Sequence, residues 1–348
     1  MRPRDFRPLA FEPRLRAVDT AGNPAVAAAA RTLLLDRLAV ECVSSLRANG
    51  IRALLLKGPV TSRWLYAGGQ FRPYWDVDLL VADGDFQKAS RALLELGFRD
   101  AEAGRTEDEV NTHANTFVVE RPPLGARFPA ELAVDLHVSF HGIQASDSAF
   151  WALAVEGADR IRIAGMDIEV PGEPMRTLLI PLHAATSGPV NAQALTDLDH
   201  ALDRMSDETW SAAYALAERL DAVPRFVAGL TMRPLGRELI DRLGMDARID
   251  VQSALYSLGS WTGAGAIERL RTSPGFRRRV VLLAHELIPT PSFIRAWSPF
   301  PRLGVLGLAL GYCYRVFWLA AKLPAALRAH ARARRVASGG RAAEPGRE

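Results

Sequence analysis

The chain has 348 residues, of which 49% are hydrophobic and 24% are charged, a composition that excludes disordered and fibrous proteins and allows two packed domains. Its 43 basic and 39 acidic side chains leave a formal charge of +4, which is too small by itself to indicate a nucleic acid or an anionic membrane as partner. Cys42 and Cys313 lie far apart in apolar stretches, which argues against disulfides and thiolate metal sites. The N-terminal stretch lacks the apolar run of a secretory signal, so we expect a cytoplasmic protein.

The first elements predict an α/β arrangement. Apolar residues recur at helical spacing over residues 24–48, and the short apolar run IRALLL that follows is typical of a buried strand. A tight turn at Lys57 and Gly58 leads into a second helical stretch. The segment DVDLLV, residues 76–81, then has the pattern of another buried strand.

The pattern changes from mixed to helical along the chain. Strands are predicted at residues 115–120 and 132–138, and IRIAGMDIEV forms a small β-unit that turns at Gly165. From residue 173 onward nearly every segment has helical spacing. We therefore predict an α+β fold, in which an N-terminal mixed-sheet domain is followed by a mainly helical domain. The expected divisions are a tail at 1–24, a catalytic domain at 25–172, a helical domain at 173–327 and a basic flexible tail at 328–348.

Two aspartates in DVDLLV carry the chemistry that we predict. Side chains alternate along a strand, so Asp76 and Asp78 point the same way. Two carboxylates in one small space repel each other unless a cation lies between them. Magnesium prefers oxygen ligands and keeps positions open for the phosphate oxygens of a nucleoside triphosphate. The pair therefore predicts a Mg²⁺ site, with Mn²⁺ as an alternative ion.

A third carboxylate and a glycine turn extend this site. Asp135 lies between apolar residues of a later strand and is the best third ligand, although a single strand carboxylate also fits a pair with an arginine. In a two-metal arrangement Asp135 would serve the ion that activates the attacking hydroxyl, and Asp76 and Asp78 would serve both ions. Gly58 lets backbone N–H groups approach a phosphate, and Lys57 adds a cation for it.

These residues together resemble a known family. The segment LLLKGPVTSRWLYAGGQFRPYWDVDLLV, the later VDLHVSF and the helical LLIPLHAAT and LTDLDHAL are similar to the uncharacterised nucleotidyltransferase family of the polymerase β-like superfamily. The resemblance covers most of residues 30–327 and implies a metal-dependent transfer of a nucleotidyl group. The wider superfamily usually has Gly-Ser or Gly-Gly at the turn where this chain has Lys57-Gly58, so phosphate handling by Lys57 is inferred rather than inherited.

Three further polar residues can each be interpreted in more than one way. Arg72 lies four residues before Asp76 and could clamp a phosphate, or it could be a solvated charge or a structural pairing partner. His137 shares a strand face with Asp135, where it would contact substrate, orient a ligand or be satisfied structurally. His183, with Asp197 and Asp199 one helix later, fits core hydrogen bonding better than a cleft contact.

The apolar segment from residue 303 to 327 has two readings as well. As a membrane-spanning helix it is marginal, because Arg315 and three glycines interrupt it. It would otherwise pack on the protein as a helix pair, which we favour, or contact a membrane surface with the help of Arg328 and the arginines that follow. Contact with a membrane surface would make the protein membrane-peripheral.

The sequence thus predicts a nucleotidyltransferase that transfers an NMP group from an NTP to an unidentified acceptor, with release of pyrophosphate. The acceptor would be a small molecule, a peptide or a protein. A nucleic acid acceptor is disfavoured, because no concentrated basic groove is visible. The alternative from a different class is a non-catalytic nucleotide-binding or membrane-peripheral scaffold that retains the fold.

Overall fold

The computed structural model describes residues 24–66, 70–101, 114–121, 130–300 and 304–338 of the chain. The N-terminal tail expected at residues 1–24 and the last ten residues of the expected basic tail lie outside these segments, apart from Pro24.

A five-stranded mixed sheet forms the N-terminal part of the described chain. Its strands are β1 (Ala53–Leu55), β2 (Asp76–Val81), β3 (Arg99–Asp100), β4 (Ala114–Arg121) and β5 (Ala130–His137). Their order in the sheet is β1-β2-β5-β4-β3. β2 and β5 pair in parallel, and the other neighbours pair antiparallel. The two strands that carry the predicted acids are therefore direct neighbours at the centre of the sheet.

Helices pack on this sheet and, together with a separate β-hairpin, form most of the remaining described residues. The helices within the sheet region are α1 (Pro24–Ala48), α2 (Pro59–Leu65), α3 (Phe86–Glu95) and α4 (Asp147–Val155). A separate hairpin of β6 (Asp159–Ile163) and β7 (Met166–Val170) follows. The later helices are α5 (Glu173–Ser187), α6 (Ala192–Arg204), α7 (Asp207–Arg219), α8 (Val223–Leu230), α9 (Pro234–Leu243), α10 (Val251–Ser257), α11 (Trp261–Thr272), α12 (Phe276–Leu287), α13 (Pro291–Trp297) and α14 (Gly304–Ala337). The predicted α+β class is confirmed.

The two faces of the sheet contribute to different cores. Val77 and Leu79 of β2 point into a core with α1 and α3, whereas Leu80 points into a core with the helices α5 to α8. Because side chains alternate along a strand, Asp76 and Asp78 lie on the same face as Leu80. The acids are therefore on the side that the later helices cover. Sheet and helices share this core, so the predicted domain division at residue 172 stays a prediction.

The C-terminal region differs from the sequence-based expectation. Residues 304–337 form one continuous helix, α14, rather than a helix pair that ends at residue 327 before a flexible tail. Alanine and arginine are strong helix formers, and Ala326, His330 and Ala333 are buried on the side of α14 that packs on α10 and α11. Among the described residues, α14 is the one helix whose length and apolar composition would suffice to cross a membrane.

Candidate active site

Three of the predicted site residues meet because of the register between β2 and β5. Asp78 and Asp135 are directly paired positions on the two parallel strands, so their side chains leave the sheet on the same face. Asp76 lies two residues before Asp78 on that face, and His137 lies two residues after Asp135. The alternation was visible in the sequence, but the register that places Asp78 beside Asp135 was not.

Asp78 is the most buried member of the group, with 1% of its surface exposed. One of its oxygens, Oδ1, lies 2.9 Å from Nζ of Lys57 and 2.9 Å from Nε2 of His137. Burial alone would raise the pKa of Asp78, but the charge of Lys57 and the hydrogen bond from His137 outweigh it and hold that pKa well below its usual range. Asp78 is therefore the permanently ionised carboxylate of the site.

Asp76 and Asp135 have the opposite electrostatic character. Loss of hydration raises the pKa of Asp76 to about 7, and the neighbouring charges of Asp78 and Asp135 act in the same direction. Burial and the charge of Asp78 also raise the pKa of Asp135, even though its Oδ1 accepts a 2.7 Å hydrogen bond from the hydroxyl of Thr116. Without a further cation, the three carboxylates cannot all be ionised at neutral pH without a cost.

The donor atoms are close enough to share one metal ion. One ligand atom each from Asp78, Asp135 and His137 lies within 4.8 Å of the other two. Carboxylate oxygens are the ligands that hard divalent cations such as Mg²⁺ prefer, and an ion there would relieve the repulsion that raises the pKa of Asp76 and Asp135. The residues present thus fit a divalent metal. The sequence predicted that His137 contacts substrate, orients a ligand or is satisfied structurally, and it placed His137 on the face of Asp135, but it did not indicate His137 as a metal ligand.

The turn at Lys57 and Gly58 brings a cation to the acids. Gly58 has a φ of +60°, and a Cβ atom there would lie 3.2 Å from the backbone oxygen of Asp76, so glycine suits both the conformation and the close contact. The backbone N–H of Leu56 donates to the carbonyl oxygen of Asp78 at 3.0 Å, which fixes the turn against β2. Burial by itself would lower the pKa of Lys57, but the nearby carboxylates of Asp78 and Asp76 raise it above its usual value, so Lys57 stays protonated.

The turn offers fewer phosphate donors than the sequence suggested. α2 begins at Pro59, which has no N–H to donate. The N–H of Val60 is already bonded to the carbonyl oxygen of Lys57 at 3.3 Å. The predicted phosphate contact of this turn therefore depends mainly on the ammonium group of Lys57.

Arg72 has a structural partner. Its guanidinium donates two hydrogen bonds, of 2.7 and 2.6 Å, to the carboxylate of Asp197 on α6, and both side chains are buried. The hydroxyl of Tyr66 and the amide of Gln193 also donate to Asp197, at 2.7 and 3.1 Å. The predicted phosphate contact of Arg72 would require this pair to open. In the structure, Arg72 is instead a structural pairing partner of Asp197.

A narrow crevice lies between the turn at Lys57 and the helices α5 and α6. His183 lines it together with Lys57, Arg72 and Asp197. Burial and the charge of Lys57 together lower the pKa of His183 to about 4, so the imidazole is neutral at neutral pH. Asp199 faces elsewhere and pairs with Arg233 at 2.6 Å. The two acids of α6 thus have separate roles.

The sequence matches the family model of an uncharacterised nucleotidyltransferase over residues 23–234, more than half of the chain. The chain belongs to this nucleotidyltransferase family. The match includes β1 to β5 with the acid cluster and the helices α5 to α8 that cover it. The predicted resemblance to this family and the assignment as a nucleotidyltransferase enzyme are confirmed.

Two solved structures are similar to this nucleotidyltransferase at low sequence identity. The antibiotic-resistance factor ANT(2'')-Ia is 13% identical, covering 54% of this chain and 94% of its own, with a TM-score of 0.37. An antigenic nucleotidyltransferase-like protein from Paracoccidioides brasiliensis is 16% identical, covering 56% of this chain and 93% of its own, with a TM-score of 0.33. No protein of curated function matches the sequence.

Proposed function

We propose that the protein transfers an NMP group from an NTP to an acceptor in a reaction that depends on a divalent metal ion. The observation that carries this proposal is the convergence of Asp76, Asp78 and Asp135 on one face of neighbouring parallel strands in a chain of the nucleotidyltransferase family. In the transfer, a nucleophilic atom of the acceptor forms a bond to the α-phosphorus. The bond from that phosphorus to the pyrophosphate oxygen breaks.

The three aspartates would hold the metal: Asp78 and Asp135 share one possible ion position with His137, and Asp76 would add a ligand from the same strand face. Their oxygen ligands favour Mg²⁺, with Mn²⁺ as an alternative. A bound divalent ion would supply neutralisation of phosphate charge and activation of the attacking group. Asp78 is poised for this role because it stays ionised. Thr116 orients Asp135 by donating to its Oδ1, and His137 orients Asp78 in the same way.

Lys57 would change partner when substrate binds. In the structure its ammonium group lies 2.9 Å from Asp78 and 5.4 Å from the centre of the Phe140 ring. A divalent cation at the acids would compete with Lys57 for Asp78. The released ammonium group, next to a glycine turn, could then pair with the triphosphate. The lysine would thus serve the acids in the free protein and the phosphates in the complex.

The test is calorimetry of NTP binding with and without Mg²⁺, using the wild type and an Asp76→Asn, Asp78→Asn double variant. We expect Mg²⁺-dependent binding that the double variant loses. Asp83→Asn is the matched control, because Asp83 is an exposed acid just beyond β2 and the change removes the same charge. A pyrophosphate-release assay with candidate small molecules, peptides and proteins would then identify the acceptor.

NTP binding that ignores both Mg²⁺ and the double substitution would contradict the proposal. That outcome would favour a non-catalytic nucleotide-binding scaffold with this fold. Binding that depends on the metal, but never gives pyrophosphate, would place the ion correctly and reject turnover.

A further inference from the structure

The formal charge of +4 hides a strong asymmetry between two parts of the chain. Residues 1–250 carry 28 Lys or Arg and 35 Asp or Glu, a net charge of −7, whereas residues 251–348 carry 15 and 4, a net charge of +11. After Glu286 the next acidic residue is Glu344. The helix α14 itself contains no acidic residue. The C-terminal region is therefore a basic unit attached to an acidic one.

The same region exposes apolar side chains. Between Val305 and Leu327, one face of α14 presents seven large apolar side chains to solvent: Val305, Leu306, Leu310, Val316, Phe317, Leu323 and Leu327. At 100° per residue they fall within less than half of the helix circumference. Arg315 and Lys322 lie on other faces by the same geometry. The resulting uncharged stripe is about 33 Å long at 1.5 Å per residue.

Basic residues continue the stripe where its apolar part ends. Arg328, Arg334 and Arg335 fall on the same face as Val305 and Phe317 at helical spacing and are exposed. An apolar face that passes into a cluster of arginines is the pattern of a helix that lies in the plane of an anionic lipid surface. The arginine side chains would reach the phosphate headgroups while the apolar side chains enter the acyl region.

A second helix beside α14 has the same character. None of the residues of α12 is buried, and Phe276, Val280, Leu283 and Leu287 recur on one face at spacings of four and three residues. The C-terminal end of α12 is fixed to α14, because Arg315 donates to the backbone oxygen of Glu286 at 2.8 Å. The contact of Arg315 with Glu286 thus connects two helices that both expose apolar side chains.

We propose that α14 docks the protein on the surface of an anionic lipid bilayer, with its long axis in the plane of the membrane. Docking of this kind uses no residue of the acid cluster and does not depend on nucleotidyltransferase activity. A nucleic acid would use the arginines but would leave the apolar stripe in water. A second copy of the chain would bury the stripe, but it would bring together two C-terminal regions that each carry a net charge of +11 and repel each other.

A membrane-spanning arrangement fits the structure less well. α14 packs along one side on α10, α11 and α13, and lipid would have to replace these contacts all around the helix. Arg315, near the middle of the apolar interval, is buried and lies 3.6 Å from Glu286. Its charge would reach the centre of the bilayer, where arginine is costly. One exposed face and one packed face instead match a helix that lies on the surface.

The chain carries a natural probe for the experiment. Cys313 is exposed on the apolar stripe, whereas Cys42, the other cysteine, is buried. An environment-sensitive fluorophore on Cys313 of the full chain is mixed with vesicles of phosphatidylcholine, with or without phosphatidylglycerol. We expect a blue shift and co-sedimentation with the anionic vesicles, both weakened by salt. Unlabelled protein in the sedimentation assay excludes an effect of the dye.

Two double variants separate the apolar and the charged parts of the surface. Val316→Ser with Phe317→Ser should weaken vesicle binding about tenfold or more, because it removes apolar area from the membrane contact. Arg334→Gln with Arg335→Gln should weaken it roughly fivefold for each arginine. Val190→Ser is the matched control, since Val190 is 82% exposed outside the C-terminal region, and it should bind as the wild type does. Thermal unfolding of each variant checks that the fold is retained.

Any of three results would overturn the proposal. The first is an absence of binding to anionic vesicles, and the second is binding that the Val316→Ser, Phe317→Ser variant retains in full. The third is a concentration-dependent dimer in sedimentation velocity that the same variant abolishes while no vesicle binds, which would assign the stripe to a second copy. Failure of the nucleotide assays would leave both readouts untouched, because neither uses the acid cluster.

Discussion

The acid cluster on β2 and β5 and the buried acid Asp197 on α6 are neutralised to different degrees. Asp197 on α6 receives two hydrogen bonds from Arg72 and further ones from Tyr66 and Gln193. The cluster on β2 and β5 contains three carboxylates, and Lys57 is the cation bonded to it. The pKa of Asp197 is lowered by Arg72 against the effect of burial, whereas that of Asp76 is raised to about 7.

This difference in neutralisation indicates that Asp197 stabilises the fold and that the acid cluster is suited to bind a cation. A buried charge with a complete set of partners stabilises a particular arrangement of chain segments and costs several kcal/mol when one partner is removed. A buried group with too few counter-charges is a poor contributor to stability and a good site for a cation. Substitutions at the two groups should therefore be felt in different measurements.

The largest effect is expected for Asp78→Asn on activity. Loss of the fully ionised ligand should reduce kcat/KM for the NTP by about a thousandfold or more, which corresponds to about 4 kcal/mol of transition-state stabilisation. Stability without metal should fall, because Lys57 and His137 lose their shared partner, although the loss of one repelling carboxylate offsets part of this effect. Steady-state pyrophosphate release, compared with Asp83→Asn, is the measurement. A variant with wild-type activity would remove Asp78 from the site.

The next effect is expected for Asp197→Asn on stability. The substitution removes the counter-charge of the buried Arg72 guanidinium and leaves it one acceptor oxygen, at a cost of roughly 3–5 kcal/mol in the free energy of unfolding. Asp207→Asn is the matched control, because Arg242 bonds Asp207 at 2.7 and 3.0 Å with similar geometry but at an exposed position, where a pair contributes little to stability. Urea unfolding measures both. Equal losses would refute the assignment of Asp197 to the fold.

Lys57→Met should split metal binding from nucleotide binding. Without the ammonium group, the metal meets no competitor for Asp78 and should bind more tightly in the absence of nucleotide. The KM for the NTP should rise about tenfold, since one charged hydrogen bond to phosphate is lost. Calorimetry and steady-state kinetics check the two halves, with Lys88→Met on the exposed side of α3 as control. A parallel loss of both affinities would reject the exchange of partners.

The pH dependence should also separate the two groups. The pKa of Asp76 is about 7 in the folded chain against 3.8 as its ordinary value, so the folded state binds more protons between these values and metal-free stability falls as pH rises towards 7. Metal must displace that proton, and its affinity should fall by up to about tenfold per pH unit below 7. Melting temperatures with and without Mg²⁺ at several pH values test this. Asp76→Asn should weaken the dependence and leave the part that Asp135 contributes, whereas Asp197→Asn should preserve it.

The sequence revealed the local part of this site. Strand alternation placed Asp76 with Asp78 and His137 with Asp135, and the glycine turn placed Lys57 upstream of them. These inferences needed only neighbours along the chain. The direct pairing of Asp78 with Asp135 depends on the register of two strands more than fifty residues apart, which local patterns do not specify.

Long-range partners explain what the sequence left open or misjudged. Arg72 could be interpreted as a phosphate clamp because its partner, Asp197, lies 125 residues later. The end of the last helix was placed at residue 327 because apolar periodicity fades there. Ala326, His330 and Ala333 nevertheless keep a buried face at helical spacing, and His330 meets Glu268 at 2.7 Å, a contact that no local pattern announces.

The shared core beneath the acids has a consequence for how the protein unfolds and for which fragments can be produced. Leu54 and Leu80 of the sheet are covered by side chains of α5 to α8, so a fragment that ends at residue 172 would expose that face of the sheet to water. The central strand β2 should open only when these helices also open. Its amide hydrogens should therefore exchange at the rate of global unfolding, and the shortest stable fragment should extend through α8.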